Sequence, residues 1–352
     1  MVRTEIQMLS ITYNVAHAVC PTRSVRRMAG QSCSSPQLPI HMGPSMTLVF
    51  AVFAVVTLVI HQSVAPSPDA IVFVCHRDGA DNVCITNSSG DHFRQITSVT
   101  GKVEGISSPR WSPGRGRIAF DLRNSVTRRR DVYTVDADGM NIRKLTNSDG
   151  NTFYRNPSWS PDGSQLAFEC GNPAGWQICA SAADGSNLKR IAGVGNSRNP
   201  DWSPDGTKIV FHSDRDSTPH GTPAFRGSDL YVMNADGSNV RRLTVTAAGR
   251  TSQDPAWSRN GEQIAFMSTR DGEAQIYTIQ SDGTLLRRLT HDNKAADHPR
   301  WSPDGKELIF HSGRDGRGVV PTAIELYILS VDKLSIRRLT NNSLYDGLAD
   351  WR

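Results

Sequence analysis

The sequence predicts an all-β fold: a six-bladed β-propeller with four-stranded antiparallel blades, closed by the C-terminal strand completing the N-terminal blade. Three observations carry this expectation. Trp recurs at 111, 159, 202, 257, 301 and 351, at spacings of 43 to 55 residues. The same text returns around it, as in Asn156-Pro-Ser-Trp-Ser-Pro-Asp-Gly163, Asn199-Pro-Asp-Trp-Ser-Pro-Asp-Gly206 and His298-Pro-Arg-Trp-Ser-Pro-Asp-Gly305. Short apolar segments separated by tight-turn residues follow each Trp, and four short strands per period in the 40s is the pattern of a propeller blade.

The strands of a unit follow in order. The first ends at Trp and is stopped by Ser-Pro-Asp-Gly, where Pro presets φ and Gly supplies a left-handed residue. The second is Ile118-Ala-Phe120, Leu166-Ala-Phe168, Ile209-Val-Phe211, Ile264-Ala-Phe266 or Leu308-Ile-Phe310. The third carries Val132-Tyr133, Leu230-Tyr231, Ile276-Tyr277 or Leu326-Tyr327 and runs into an Asp-Gly turn at Asp138, Asp184, Asp236 or Asp282. The fourth is Arg143-Lys-Leu-Thr146 and its counterparts ending at Thr244, Thr290 and Thr340. The two ends complement each other. Ser67-Pro-Asp69, Ile71-Val-Phe73, Val83-Cys-Ile85 and Arg94-Gln-Ile-Thr97 form a unit without its Trp strand, and Ala349-Asp-Trp351 is a Trp strand without its unit. Pairing Trp351 beside Ile71–Val74 closes the ring over residues 66–352 and removes the free sheet edges.

With 352 residues, 38% hydrophobic and 21% charged, the chain has a soluble globular composition, which excludes a disordered tail and a polytopic membrane protein. The net charge of +5 is scattered, so no nucleic-acid partner is expected. Residues 1–45 read as a flexible basic leader. Met46–Ile60 is an uncharged apolar run spanning about 22 Å as a helix, short of the ~30 Å hydrocarbon core. Residues 46–65 therefore read as a signal peptide ending at Ser63-Val-Ala65, with an uncleaved membrane anchor as the rival. Both place the rest of the chain in the periplasm or outside the cell, and contact with a membrane is expected only through that anchor. The long leader also admits a start at Met42 or Met46.

These repeats resemble the TolB-type propeller family: the Pro-x-Trp-Ser-Pro-Asp-Gly text, the Arg-Asp-Gly turns at 270–272 and 314–316, and Asn234-Ala-Asp-Gly-Ser-Asn239 match its repeat. The resemblance implies this propeller fold, an extracytoplasmic setting and a protein partner. Residue 65 leads directly into the first blade, so the N-terminal α/β domain of that family's TolB proteins, and with it a role in the Tol system, is not expected. The sequence holds no Gly-x-Ser-x-Gly elbow, so a catalytic domain of the prolyl-oligopeptidase kind is not expected.

The six anchor Trp residues are expected in the packing between blades, and the paired Arg residues before Leu-Thr on the solvent face of the outermost strand. Cys75 and Cys84 lie nine residues apart on the second and third strands of blade 1, as do Cys170 and Cys179 in blade 3. In a hairpin those positions are expected directly opposite one another, close enough for two disulfides. His212 and His311 read as blade-packing residues, because Glu169 and Met267 occupy the same slot. Asn156, Asn199, Asp254 and His298 form a polar series entering the innermost strands and, with Asp297, are the candidate ligand-binding residues. No cofactor is called for; a cation held at the channel mouth is the alternative, its ligands unknown.

The expected function is an exported, non-catalytic binding or scaffolding module for a protein or peptide, or for a small carbohydrate. The alternative is a carbohydrate-active lyase or hydrolase with a polar or metal site at the channel mouth. Converging His and carboxylate groups would favour the enzyme, and dispersed ones the scaffold. The binding face is expected where strand 2–3 loops and inter-blade links lie, because Leu122–Arg130, Asp214–Ser228 and Gly313–Ala323 exceed the turns of blades 1, 3 and 5.

Overall fold

The computed structural model describes residues 67 and 69–351, apart from 100–102, 193–194, 217–226, 316–323 and 343. The expected basic leader, the signal-peptide or anchor segment and most of the long links at 214–228 and 313–323 lie outside the described residues.

Six four-stranded antiparallel sheets follow one another along the chain. Blade 1 holds β1 (Ile71–Arg77), β2 (Ala80–Thr86) and β3 (Arg94–Gln95), and blade 2 holds β4 (Val103–Trp111), β5 (Arg117–Asn124), β6 (Arg130–Asp136) and β7 (Arg143–Lys144). Blade 3 is β8 (Phe153–Trp159), β9 (Gln165–Asn172), β10 (Gly175–Ala182) and β11 (Lys189–Ala192). Blade 4 is β12 (Ser197–Trp202), β13 (Lys208–Ser213), β14 (Asp229–Asn234) and β15 (Arg241–Arg242). Blade 5 is β16 (Ser252–Trp257), β17 (Gln263–Ser268), β18 (Gln275–Gln280) and β19 (Arg287–Arg288). Blade 6 is β20 (Asp297–Trp301), β21 (Glu307–Ser312), β22 (Glu325–Ser330) and β23 (Ile336–Arg338). The last strand, β24 (Asp346–Trp351), joins blade 1 as its innermost strand, with Trp351 opposite Ile71 and Asp350 opposite Val72. The six Trp-bearing strands touch their counterparts on both sides, β24 meeting both β20 and β4, so the ring is closed around a channel.

Alternation along each strand produces this stacking. In β21 and β22, Leu308, Phe310, Tyr327 and Leu329 bury one face against Ala256, Ala265 and Ile276 of blade 5. The other face, with Ile309, Leu326 and Ile328, packs on Ile71, Phe73 and Trp351 of blade 1. All six anchor Trp residues are buried. Trp159 and Trp301 donate their indole N–H to the carbonyls of Arg110 and Ala256, each on the first strand of the preceding blade. The Phe and Tyr of strands two and three sit opposite one another, and the rings of Phe211 and Tyr231 stack with centroids 5.8 Å apart.

Polar side chains tie the outer strands. Thr146 and Thr244 each accept a backbone N–H from the third strand and donate to a carboxylate at its start, Asp131 and Asp229. The same carboxylates hold Lys144 at 2.8 Å and Arg242. This qualifies the expected solvent-facing basic pairs: Arg143 and Arg241 are exposed, Arg241 reaching the carbonyls of Asp282 and Ser281, and the second residue of each pair is held by a carboxylate. At the Asp-Gly turns the left-handed glycine is required twice over. Gly237 has φ +92, and a Cβ there would lie 1.9 Å from the Ile191 carbonyl of the preceding blade.

Both disulfides are present, Cys75–Cys84 and Cys170–Cys179, with Cα–Cα distances of 5.9 and 5.8 Å. Their register differs from the expectation. Cys84 lies opposite Phe73 and Cys75 opposite Asn82, so the bridge is diagonal by two residues; Cys170 and Cys179 repeat this opposite Gln177 and Phe168. A two-residue hairpin connection in both blades sets this offset.

Candidate functional site

Every Trp strand carries a bulge three residues before its Trp, and the residue there has a left-handed backbone: Ser108, Asn156, Asn199, Asp254, His298 and Leu348, with φ between 50° and 54°. Asn, Asp and His tolerate this region best among residues with a Cβ, which explains why those types recur at this point of the repeat. The bulges lie at the end of the channel where the strand 2–3 hairpins also sit, because the start of each first strand pairs with the end of the second.

There the side chains link hand to hand. Ser108 Oγ donates to Asn156 Oδ1, Asn156 Nδ2 donates to Asn199 Oδ1 at 3.0 Å, and Asn199 Nδ2 donates to Asp254 Oδ1. His298 Nε2 stands 3.7 Å from Asp254 Oδ2, His298 stacks on His311 with centroids 4.6 Å apart, and the Leu348 amide donates to His311 Nδ1 at 3.4 Å. The structure thus brings Asn156, Asn199, Asp254, Asp297 and His298 to one mouth.

A second set of residues, each directly after the Phe of the second strand, supports the ring from beneath. Asp121 Oδ1 accepts the amide of Asn156, and Glu169 Oε1 accepts the amide of Asn199. His212 and His311 hold the same slot. His212 is buried and packs as expected, but the expectation for His311 is corrected: its Nε2 is 3.9 Å from Asp297 Oδ2, and it belongs to the channel mouth. The slot faces the neighbouring blade's bulge, so what stands there is read by the ring. The role of Asp121, Glu169 and His311 was visible in the sequence only as the residue following each strand-two Phe.

The mouth is electrically divided. On blades 3 and 4, Arg155 binds Glu169 through Nε at 2.7 Å, and the guanidiniums of Arg155 and Arg198 lie 3.9 and 5.6 Å from the ring centre of Trp176. On blades 5 and 6 stand Asp254 and Asp297. Burial pushes the Asp254 carboxyl up to about 7, with His298 opposing. Burial also acts on Asp297, but the adjacent His298 and His311 outweigh it and hold that carboxyl well below its ordinary value. His298 is raised, since Asp254 and Asp297 together overcome its desolvation, whereas burial and the His298 charge lower His311 to about 4. The cluster therefore sets Asp297, a carboxyl held low, 3.2 Å from His298, an imidazole held high, with His311 lowered beside them. Ligand atoms of Asp297, His298 and His311 all lie within 4.8 Å of one another, the spacing a cation would need.

The expected loop lengths hold in part. The blade 1 and blade 3 hairpins are closed by residues 78–79 and 173–174 and blade 2 by 125–129, but blade 5 uses 269–274, so blade 5 does not have a short turn. Its extra residues are structural: Arg270 lies over Phe266 and Tyr277, and Tyr277 donates to Asp271 at 2.6 Å.

A closed propeller with a pre-ordered polar mouth defines a repeat-built platform for recognition. The match to the TolB beta propeller domain covers residues 49–222 and 225–348, and the chain belongs to that family. Membership supports a binding or scaffolding role in general. The Tol-Pal system protein TolB of Bordetella pertussis is 36% identical over 171 residues, 47% of this chain and 35% of that protein. The chain spans roughly a third to a half of the first curated relatives it matches. Among solved structures, TolB from Acinetobacter baumannii superposes with a TM-score of 0.66 at 20% identity, covering 82% of this chain and 68% of that one. An oligogalacturonate lyase in complex with manganese gives 0.53 at 16% identity, over 78% of this chain and 75% of the lyase. These likenesses show the fold.

Proposed function

We propose that this chain is an exported, non-catalytic binding or scaffolding module whose partner, a protein or peptide, docks over the hairpin-face mouth of the channel. The observation that supports this reading is the chain of hydrogen bonds from Ser108 through Asn156 and Asn199 to Asp254. Side chains already immobilised by one another lose little further freedom on binding, which favours affinity for polar groups presented to them. The division into Arg155 and Arg198 on one side and the Asp254–Asp297–His298 cluster on the other suits a peptide that presents an anionic group at one end and hydrogen-bonding groups at the other. An oxidising compartment fits the two disulfides. The test is site-specific photo-cross-linking in cells, from exposed Asn151 beside the mouth and from exposed Asp205 on the Pro-Asp-Gly turn face. The same partner should be captured from 151 and not from 205; capture from 205 alone would reverse the assignment.

One observation favours the enzyme reading, a carbohydrate-active lyase or hydrolase: the convergence of Asp297, His298 and His311. Asp297, held low, and His311, lowered to about 4, are ready ligands for a cation, whereas the raised His298 gives up its proton less readily, which works against it as a ligand. Manganese titration followed by calorimetry, with turnover of oligogalacturonate, decides it: micromolar binding together with an unsaturated product supports the lyase, and neither result removes it.

A further inference from the structure

Beside the channel mouth, between blades 2 and 3, lies a separate cavity of about 180 Å³ whose described walls are Arg123, Arg128, Arg130, Arg155, Phe153, Pro173 and Trp176. Four guanidiniums converge on this small space. Arg123 and Arg130 are direct cross-strand partners on β5 and β6, a placement in which like charges repel.

Arg130 and Arg155 are fixed from below by buried carboxylates. Arg130 Nη1 donates to Asp121 Oδ2 at 3.0 Å, and Arg155 Nε donates to Glu169 Oε2 at 2.7 Å; both carboxylates are fully buried. The Arg155 guanidinium is further clamped over the Trp176 ring. Each buried acid uses one edge of a guanidinium fork and leaves another edge of the same planar group for a ligand. Guanidinium forks match the paired oxygens of carboxylate and phosphate. Phe153, Pro173 and the buried Trp176 form the apolar part of its wall.

We propose that this cavity is an oxyanion-binding site, taking the phosphate or carboxylate group of a small ligand between Arg130 and Arg155, with Arg123 and Arg128 at its rim. It shares Arg155 with the edge of the proposed partner surface but needs none of Asn156, Asn199, Asp254 or His298, and Arg128 and Arg130 belong to it alone.

The experiment is calorimetric titration of the full chain with inorganic phosphate and, separately, with malonate, at constant ionic strength against a chloride control. Saturable one-to-one binding of either anion is expected, with phosphate and malonate distinguishing the tetrahedral from the carboxylate source. Arg128→Gln, which leaves both buried acids paired, should weaken binding at least about tenfold. Arg130→Lys keeps a cation beside Asp121 but removes the fork, and it should weaken binding by a similar factor while the thermal unfolding midpoint without anion stays near that of the parent. Binding no stronger than chloride, or binding unchanged in both variants, would overturn the proposal.

Discussion

The backbone amide of Trp111 donates to Asp350 Oδ2 at 2.9 Å, joining the first strand of blade 2 to the last strand of the chain. The bond spans almost the whole propeller in sequence, and it exists only because β24 has crossed back to blade 1. Trp351 beside it is 3% exposed and packs with Ile71, Phe73, Ile309 and Ile328.

Removal of residues 348–352 should therefore act as a lesion of the ring and not of one terminus. It strips most of the inner strand from blade 1, exposes the inner edge of β1 and opens the blade 1–blade 6 core. Trp351→Ala alone should cost about 3–5 kcal/mol, the range for burying and then truncating a large aromatic side chain. Thermal or denaturant unfolding checks both; a truncated chain that melts with the parent would contradict closure at this strand.

The disulfides yield a second expectation. Each closes a loop of about ten residues, for which the chain-entropy estimate is about 2–3 kcal/mol. Mass spectrometry of protein taken from its native location should find Cys75–Cys84 and Cys170–Cys179 oxidised. Four free thiols in that material would contradict export.

How much of this was legible in the sequence depends on which physical rule was at work. Strand order, blade number and closure could be read because Trp351 and the Ser67-Pro-Asp69 text are two halves of one repeated phrase. The position of Asn156, Asn199, Asp254 and His298 could be read because they share one slot before Pro. The diagonal register of the disulfides could not, since a hairpin with a two-residue connection and one with four place the same Cys pair differently. His311 is illegible for a related reason: its counterparts in the repeat, Glu169 and Met267, differ so much in chemistry that the slot reads as packing, while its direction is set by the bulge in the next blade. The arginine cavity joins Arg128 and Arg130 of one hairpin to Arg155 and Trp176 of another blade, a juxtaposition no linear spacing records.

Stability should fall on the acid side, through His212. Burial lowers this imidazole to about 3, and its Nδ1 has no hydrogen-bond partner among the described residues. The unfolded chain binds the proton near 6.5, the folded chain not until about 3, so the contribution of neutral His212 is complete above pH 6.5 and is lost progressively as pH falls through that window. His311, lowered to about 4, acts with the same sign. Met267 fills the equivalent slot in blade 5, so His212→Met should keep the packing while flattening the loss of stability between pH 6.5 and 4. Equal acid sensitivity in parent and variant, followed by thermal unfolding, would assign the effect elsewhere.

The ring at the mouth can be separated into backbone and side-chain parts at Asn199. Its φ of 50° suits Asn, and its side chain both accepts from Asn156 and donates to Asp254. Asn199→Gly removes both hydrogen bonds but accepts the left-handed backbone freely, at a cost of about 1–3 kcal/mol for two partners left in a partly buried site. Asn199→Ala removes the same bonds and adds the left-handed penalty of roughly 1–2 kcal/mol for a residue with a Cβ, so Ala should be the less stable of the two. If the two variants unfold together, the bulge does not constrain this residue; if both match the parent, the hydrogen-bonded chain contributes nothing to the fold. An outcome with Gly below the parent and Ala below Gly would show that the bulge fixes the direction of the side chain and that the chain of hydrogen bonds then holds the mouth in one arrangement, which is the property a docking platform requires.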